Sequence, residues 1–183
     1  SREQDPVLDY LYEEGILYVL VGKAYRNVNQ TIYVDNDNVL AGKETAEYLL
    51  ELGHERIAYL SGDHSLLFNN DRRMGYMLAL TERGIGFLPE LCVEQNEVLH
   101  ALLTRTDRPT AVLVSDDILA MALEKGCMEL GLSIPGDVSI ISFNNSLLAR
   151  LTVPSLTSVD VNSCQLGTQA AAQMIEHVEN PEL

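Results

Sequence analysis

A doubly wound α/β fold is what this sequence of 183 residues predicts. Two observations lead to it: strand-like apolar runs alternate with stretches of helical length, and each strand-like run ends in a short polar cluster. Parallel neighbours need a crossover long enough to hold a helix, so the alternation implies right-handed βαβ units. The elements follow in order. Asp5-Pro6 ahead of Val7, Leu8 and Leu11, with Gly15 behind, reads as a helix with an acidic cap, a first-turn proline and a glycine stop. Residues 16–21 are continuously apolar up to Gly22, the pattern of a strand buried on both faces. Residues 31–34 form a short strand into Asp35-Asn36-Asp37-Asn38, where Asn38 can cap a helix carrying Val39, Ala46, Leu49 and Leu50 up to Gly53. Residues 56–60 are the next strand, with Ser61-Gly62 at its tip. A helix from Asn69 or Asn70 runs through Met74, Met77, Leu78 and Leu80 to Gly84, followed by a brief strand at 91–93 and a short helix near 98–103. Residues 110–114 are a strand ending in Ser115-Asp116-Asp117. There a helix with Ile118, Met121, Ala122 and Leu130 begins, and it stops at Gly131. Residues 138–143 are a strand into Asn144-Asn145 with no clear helix behind them. A thin strand near 156–161 and a helix over 163–178, halted at Asn180-Pro181, complete the series.

Composition excludes several classes of function. Twelve Lys and Arg against 27 Asp and Glu give a net charge of −15 and a pI near 4.5, so phosphate backbones and anionic lipid surfaces are repelled. Direct nucleic-acid contact by this segment is not expected. No apolar run approaches the roughly 18 residues of a membrane span, and a soluble chain is expected. Cys92, Cys127 and Cys164 are odd in number, far apart and beside apolar residues. They read as buried small hydrophobes in a reducing compartment. The sequence starts at Ser1 without a methionine, so the lack of a signal peptide says nothing about compartment.

In sheets of this kind ligands bind beyond the carboxyl ends of the strands. Here those ends carry Gly22-Lys23, Asp35-Asn36, Ser61-Gly62, Ser115-Asp116-Asp117 and Asn144-Asn145. Such oxygens and amides can hydrogen-bond a hydroxyl-rich ligand, and they can equally cap the helices that follow. Of Asp116 and Asp117, one is expected to face a cleft and the other to cap. Catalytic signatures are missing. Gly84-Ile85-Gly86 lacks a third glycine and follows a helix, so no dinucleotide loop is present. The four histidines show no metal-ligand spacing, and no G-x-S-x-G elbow appears. His64 beside Asp63 reads as an exposed polar pair rather than half a triad. Neither cofactor, metal nor enzymatic activity is expected.

Five ordered segments carry a resemblance: Val34-Asp35-Asn36; Leu52-Gly53-His54-Glu55-Arg56-Ile57-Ala58; Arg72 three residues before Gly75-Tyr76; Thr110-Ala111-Val112 through Ser115-Asp116-Asp117; and Gly131 through Pro135-Gly136-Asp137-Val138-Ser139-Ile140. Pro154-Ser155-Leu156-Thr157-Ser158-Val159 closes the series. At this spacing the chain resembles the effector-binding core of the lactose/galactose repressor family over nearly its whole length. The resemblance implies two periplasmic-binding-protein-like α/β subdomains, a sugar effector in the cleft between them, a homodimer and a cytoplasmic location. Operator DNA would be bound through an N-terminal helix-turn-helix domain that has no counterpart in these residues. The chain is therefore expected to be a partial core. Residues 1–62 are assigned to the N-terminal subdomain, 63–158 to the C-terminal subdomain and 159–183 to a segment returning to the first, with crossings near 62–65 and 158–160.

By the same resemblance Arg72 falls on an arginine that grips effector oxygens, a role suited to its planar fork of donors. A surface arginine paired with Asp71 or Glu82 is the alternative. Asp116 falls on a pocket position that usually carries asparagine, and Asn144 on one that usually carries aspartate, so an acid has moved from the second position to the first. Ser142-Phe143-Asn144-Asn145-Ser146 resembles the maltose-operon repressors, which makes maltose the expected effector and adds Asn145 to the site. Phe68, Tyr76 and Phe143 are candidate platforms for a sugar ring, with core packing the stronger reading for the last two. A periplasmic sugar-binding protein of a transport system is the competing function.

Overall fold

The computed structural model describes residues 5–180. Its elements are α1 (Pro6–Glu13), β1 (Val19–Val21), β2 (Ile32–Val34), α2 (Asn38–Glu51), β3 (Ile57–Leu60), α3 (Leu67–Glu82), β4 (Cys92–Val93), α4 (Asn96–Leu103), β5 (Ala111–Val114), α5 (Asp117–Glu129), β6 (Ser139–Phe143), α6 (Leu147–Leu151), β7 (Thr157–Val159) and α7 (Ser163–Glu179). Pro181, expected to halt α7, lies outside the described residues. Among the described residues no helix is long and apolar enough to cross a membrane. The chain divides into two compact units, the first holding described residues 5–37, 65–68 and 162–180, the second 38–64 and 69–161.

In the first unit Asp5 caps α1 by accepting from the Val7 N–H at 3.1 Å, with Pro6 just inside the helix. β1 and β2 pair in parallel with Val19 opposite Ile32 and Val21 opposite Val34, and α7 packs on both strands. The strand expected over 16–21 is shortened: Ile16 and Leu17 precede β1 and are 45% and 43% exposed. A doubly buried strand needs ladders on both sides, and among the described residues β1 pairs with β2 alone. Cys164 on α7 is exposed, contrary to expectation, whereas Cys127 is buried and Cys92 partly so.

The second unit is the doubly wound sheet. Its five strands run β4-β3-β5-β6-β7, all parallel. Numbered within the unit the order is 2-1-3-4-5, in which the winding direction reverses between β3 and β5. Alternate residues of each strand serve opposite cores. Ile57, Tyr59, Leu113, Ile141 and Phe143 meet Leu49 and Leu50 of α2 and Tyr76, Ala79 and Leu80 of α3. Ala58, Leu60, Val112, Val114 and Ile140 meet Leu99, Leu102 and Leu103 of α4 and Leu123 and Cys127 of α5.

This topology corrects the domain boundaries. β3 lies between β4 and β5, and all four of its residues are buried, so residues 38–62 belong to the second unit and the first boundary precedes Asn38. A strand apolar at every position needs neighbours on both edges and layers on both faces, and only the five-stranded sheet supplies them. The later boundary follows Val161, because β7 pairs Val159 with Phe143. The sequence reading also missed α6, five residues long. Only Ala149 of it is buried, so it carries no helical apolar stripe to read.

Candidate functional site

At the reversal point α3 leaves β3 over one face of the sheet while α5 leaves β5 over the other, which opens a crevice beyond the strand ends. Arg72, in the second turn of α3, is delivered there by two glycines. A Cβ on Gly42 of α2 would run into the backbone carbonyl of Arg72, and one on Gly75 of α3 would run into the carbonyl of Val39. With neither side chain present, α2 and α3 cross at backbone contact. Asn38 lies one turn before Gly42 and Arg72 one turn before Gly75, so the crossing sets those two side chains against each other.

Arg72 is 4% exposed. Its Nε donates to Asn38 Oδ1 at 3.0 Å, its Nη1 donates to the Ser115 carbonyl at the end of β5 at 2.9 Å, and its Cζ lies 4.3 Å from the centroid of the Phe143 ring. Two hydrogen bonds and an aromatic face fix the plane of the guanidinium. The surface alternative fails: Arg72 is buried, and Glu82 pairs instead with Lys43 Nζ at 2.8 Å. Phe143 and Tyr76 are fully buried, so neither offers a ring face to a sugar. Phe143 instead supports Arg72, and the Tyr76 hydroxyl donates to the Ile57 carbonyl at 2.8 Å. Sequence reasoning missed Asn38 and Ser115 as Arg72's partners; Asn38 had registered only as a cap.

Of the two acids after β5 one caps the helix, as expected, and the other is buried rather than facing a cleft. Asp116 is extended (φ −156°, ψ 164°) and caps α5, its Oδ1 accepting from the Leu119 N–H at 2.9 Å. Asp117 does not face a cleft. It is 2% exposed and accepts from the Ser142 hydroxyl at 2.6 Å, the Ser158 hydroxyl at 2.7 Å and the Ser146 N–H at 2.7 Å, tying the tips of β6 and β7 to α5. Asn144 is exposed at the end of β6 with φ 104°, its N–H donating to the Val159 carbonyl at 2.9 Å. Asn145 is committed within its loop: its Nδ2 donates to Asp160 Oδ2 at 3.1 Å and its Oδ1 accepts from Arg150 Nε at 3.4 Å. Each contact uses one of the two protons on Nδ2 and one of the two lone pairs on Oδ1, so the amide keeps a donor and an acceptor position beyond them. Phe68, in the first turn of α3, is half-buried and groups with the first unit.

Burial works to raise the Asp117 carboxyl, but the hydrogen bonds from Ser142, Ser158 and Ser146 outweigh it and hold the group below the ordinary aspartate value of 3.8. A depressed folded value means that Asp117 stabilises the fold above the unfolded value, and that this contribution is lost as pH falls through the folded one. Asp117→Asn is therefore expected to cost about 1–3 kcal/mol at neutral pH and to flatten the acid limb of the stability curve. Thermal melts across a pH series check both; an unchanged acid limb would remove Asp117 as its source.

Among the described residues no group of three His, Cys, Asp or Glu is placed to hold a metal. His64 contacts Glu94 Oε1 at 2.7 Å and Ser61 Oγ at 3.3 Å through the same nitrogen, Nε2. A triad needs the two ring nitrogens on different partners, so this is not one.

The periplasmic binding protein-like domain family matches residues 46–183. The transcriptional regulator MalR of Staphylococcus xylosus is 28% identical over 98% of this chain and 54% of its own length. A LacI transcriptional regulator from Bacillus cereus subsp. cytotoxis superposes with a TM-score of 0.90 at 38% identity, covering 100% of this chain and 67% of that one. The regulator CelR, solved in complex with cellobiose, superposes with a TM-score of 0.89 at 25% identity, covering 99% of this chain and 58% of that one. The chain spans about half the length of the curated relatives it matches. These relatives are regulators of transcription and not enzymes. By the extent of the family match and the shared fold, the chain belongs to the periplasmic binding protein-like family, in the form that makes up the core of LacI-family transcriptional regulators.

Proposed function

We propose that this chain is the sugar-sensing core of a bacterial transcriptional repressor, with a saccharide held at the carboxyl ends of β3, β5 and β6. The observation that carries the reading is the buried guanidinium of Arg72, fixed at the reversal point of the sheet by Asn38, Ser115 and Phe143. A planar cation so oriented suits vicinal hydroxyls. Asn144 and Asp116 stand at neighbouring strand ends, and their amide and carboxylate add donors and acceptors for further hydroxyls.

Maltose is the effector favoured by the Ser142–Ser146 segment and by the likeness to MalR, while the CelR complex makes cellobiose the competitor. The repressor would act in the cytoplasm and hold operator DNA through a separate headpiece, since a chain of net charge −15 repels DNA. Sugar binding would shift the conformational equilibrium of the core and so the DNA affinity of the headpiece. A homodimer belongs to this reading, because α6 and the residues after it expose Leu147, Leu151 and Val153 together.

Calorimetric titration of the full-length protein with maltose, cellobiose, glucose, sucrose, trehalose and ribose tests the proposal. Saturable heat with maltose and a dimer by sedimentation velocity are expected. Saturation with cellobiose alone would replace the effector, and silence toward every sugar would overturn the saccharide reading.

A further inference from the structure

At the opposite edge of the second unit's sheet, where β6 and β7 begin, lies a groove of about 180 Å³. Its walls are largely apolar, with Tyr48 and Leu52 from the end of α2, Ile134 and Pro135 before β6, and Leu156 before β7. Glu124, from the middle of α5, also lines it.

Glu124 is more enclosed than most carboxylates. It is 8% exposed, on the helix face that also carries Ala120, Leu123 and Cys127. Among the described residues it has neither a hydrogen bond nor an ion pair. The next cation along the helix, Lys125, turns to Glu129 at 3.8 Å. Burial alone holds the Glu124 carboxyl above the ordinary glutamate value of 4.5, with no compensating donor. Its side chain is enclosed, but its carboxylate oxygens are not sealed from solvent and are presented at the groove wall. The groove beside the carboxylate gives a partner room to come from outside.

We infer that this groove is a binding site for a small primary ammonium ion with an apolar body, for which Glu124 is the counter-charge. The walls bury the hydrocarbon and the carboxylate receives the N–H donors. The size of the groove restricts the ligand to a fragment such as an arylmethyl- or short alkylammonium. The strong net negative charge of the chain enriches cations near its surface and favours the same sign of ligand. The site lies beyond the amino ends of the strands, whereas Arg72 and Asn144 lie at the carboxyl ends, so the two are separately testable.

Benzylamine is the probe, titrated by calorimetry into the full-length protein beside the neutral isostere benzyl alcohol. Saturable benzylamine binding is expected, with benzyl alcohol at least about tenfold weaker. Glu124→Gln should weaken benzylamine by at least about tenfold while leaving the response to sugars unchanged. Non-saturating heat with benzylamine, or equal binding by Glu124→Gln, would each overturn the assignment.

Discussion

Arg72→Ala is expected to abolish saccharide binding, and Arg72→Lys to weaken it by about 10- to 100-fold, the loss of one or two charge-assisted hydrogen bonds. The pair of variants is needed because Arg72 is also structural. Removing it leaves Asn38 Oδ1 and the Ser115 carbonyl without their donor in a buried setting, at about 1–3 kcal/mol each. Arg72→Ala is therefore expected to lower the melting temperature by several degrees as well. Lysine keeps a charge over the Phe143 ring but cannot serve Asn38, Ser115 and a ligand in one plane. Calorimetric titration alongside thermal melts separates the two effects. An Arg72→Lys protein that binds sugar as tightly as the parent would remove Arg72 from the site.

Gly75→Ala is expected to damage fold and site together. The added methyl meets the Val39 carbonyl and the Lys43 backbone N, so α2 and α3 must separate. Overpacking of this kind costs about 1–3 kcal/mol and occasionally more, against roughly 1 kcal/mol gained from the better helix propensity of alanine. Separation of the helices also carries Asn38 away from Arg72, so sugar affinity should fall further than the stability loss explains. Gly167→Ala supplies the control: it lies within α7 with nothing in reach of its Cβ, and it should be neutral or stabilising. If Gly75→Ala melts and binds like Gly167→Ala, the helix crossing does not position Arg72.

The parts of the fold that were legible in the sequence are those written in local pattern. The cap at Asp5, the alternation of apolar strands with helices, and the polar strand tips each rest on residues within a turn or two of one another. Arg72 was singled out by the family resemblance that its spacing to Gly75 helps carry, whereas the backbone crossing with α2 behind that spacing was not legible. The contacts that hold Arg72 join residues 34 and 43 positions apart, Arg72 to Asn38 and Arg72 to Ser115. No periodicity reports such pairs. The roles of Asp116 and Asp117 depend on which carboxylate the turn after β5 points inward, a matter of one backbone dihedral pair that composition cannot reveal. The unit boundary was misplaced for a related reason: a glycine at a strand tip reads alike whether the chain leaves the sheet there or folds back onto it.

The Gly42–Gly75 crossing has a genetic consequence. Each added methyl would strike main chain, the carbonyl of Arg72 in one case and that of Val39 in the other. Main-chain atoms are common to all twenty amino acids, so no compensating change at the struck position can make room. Loss-of-function alleles at either glycine should therefore yield revertants at the same codon and few intragenic suppressors elsewhere. Alleles in the apolar cores, where one side chain can shrink as another grows, should yield both.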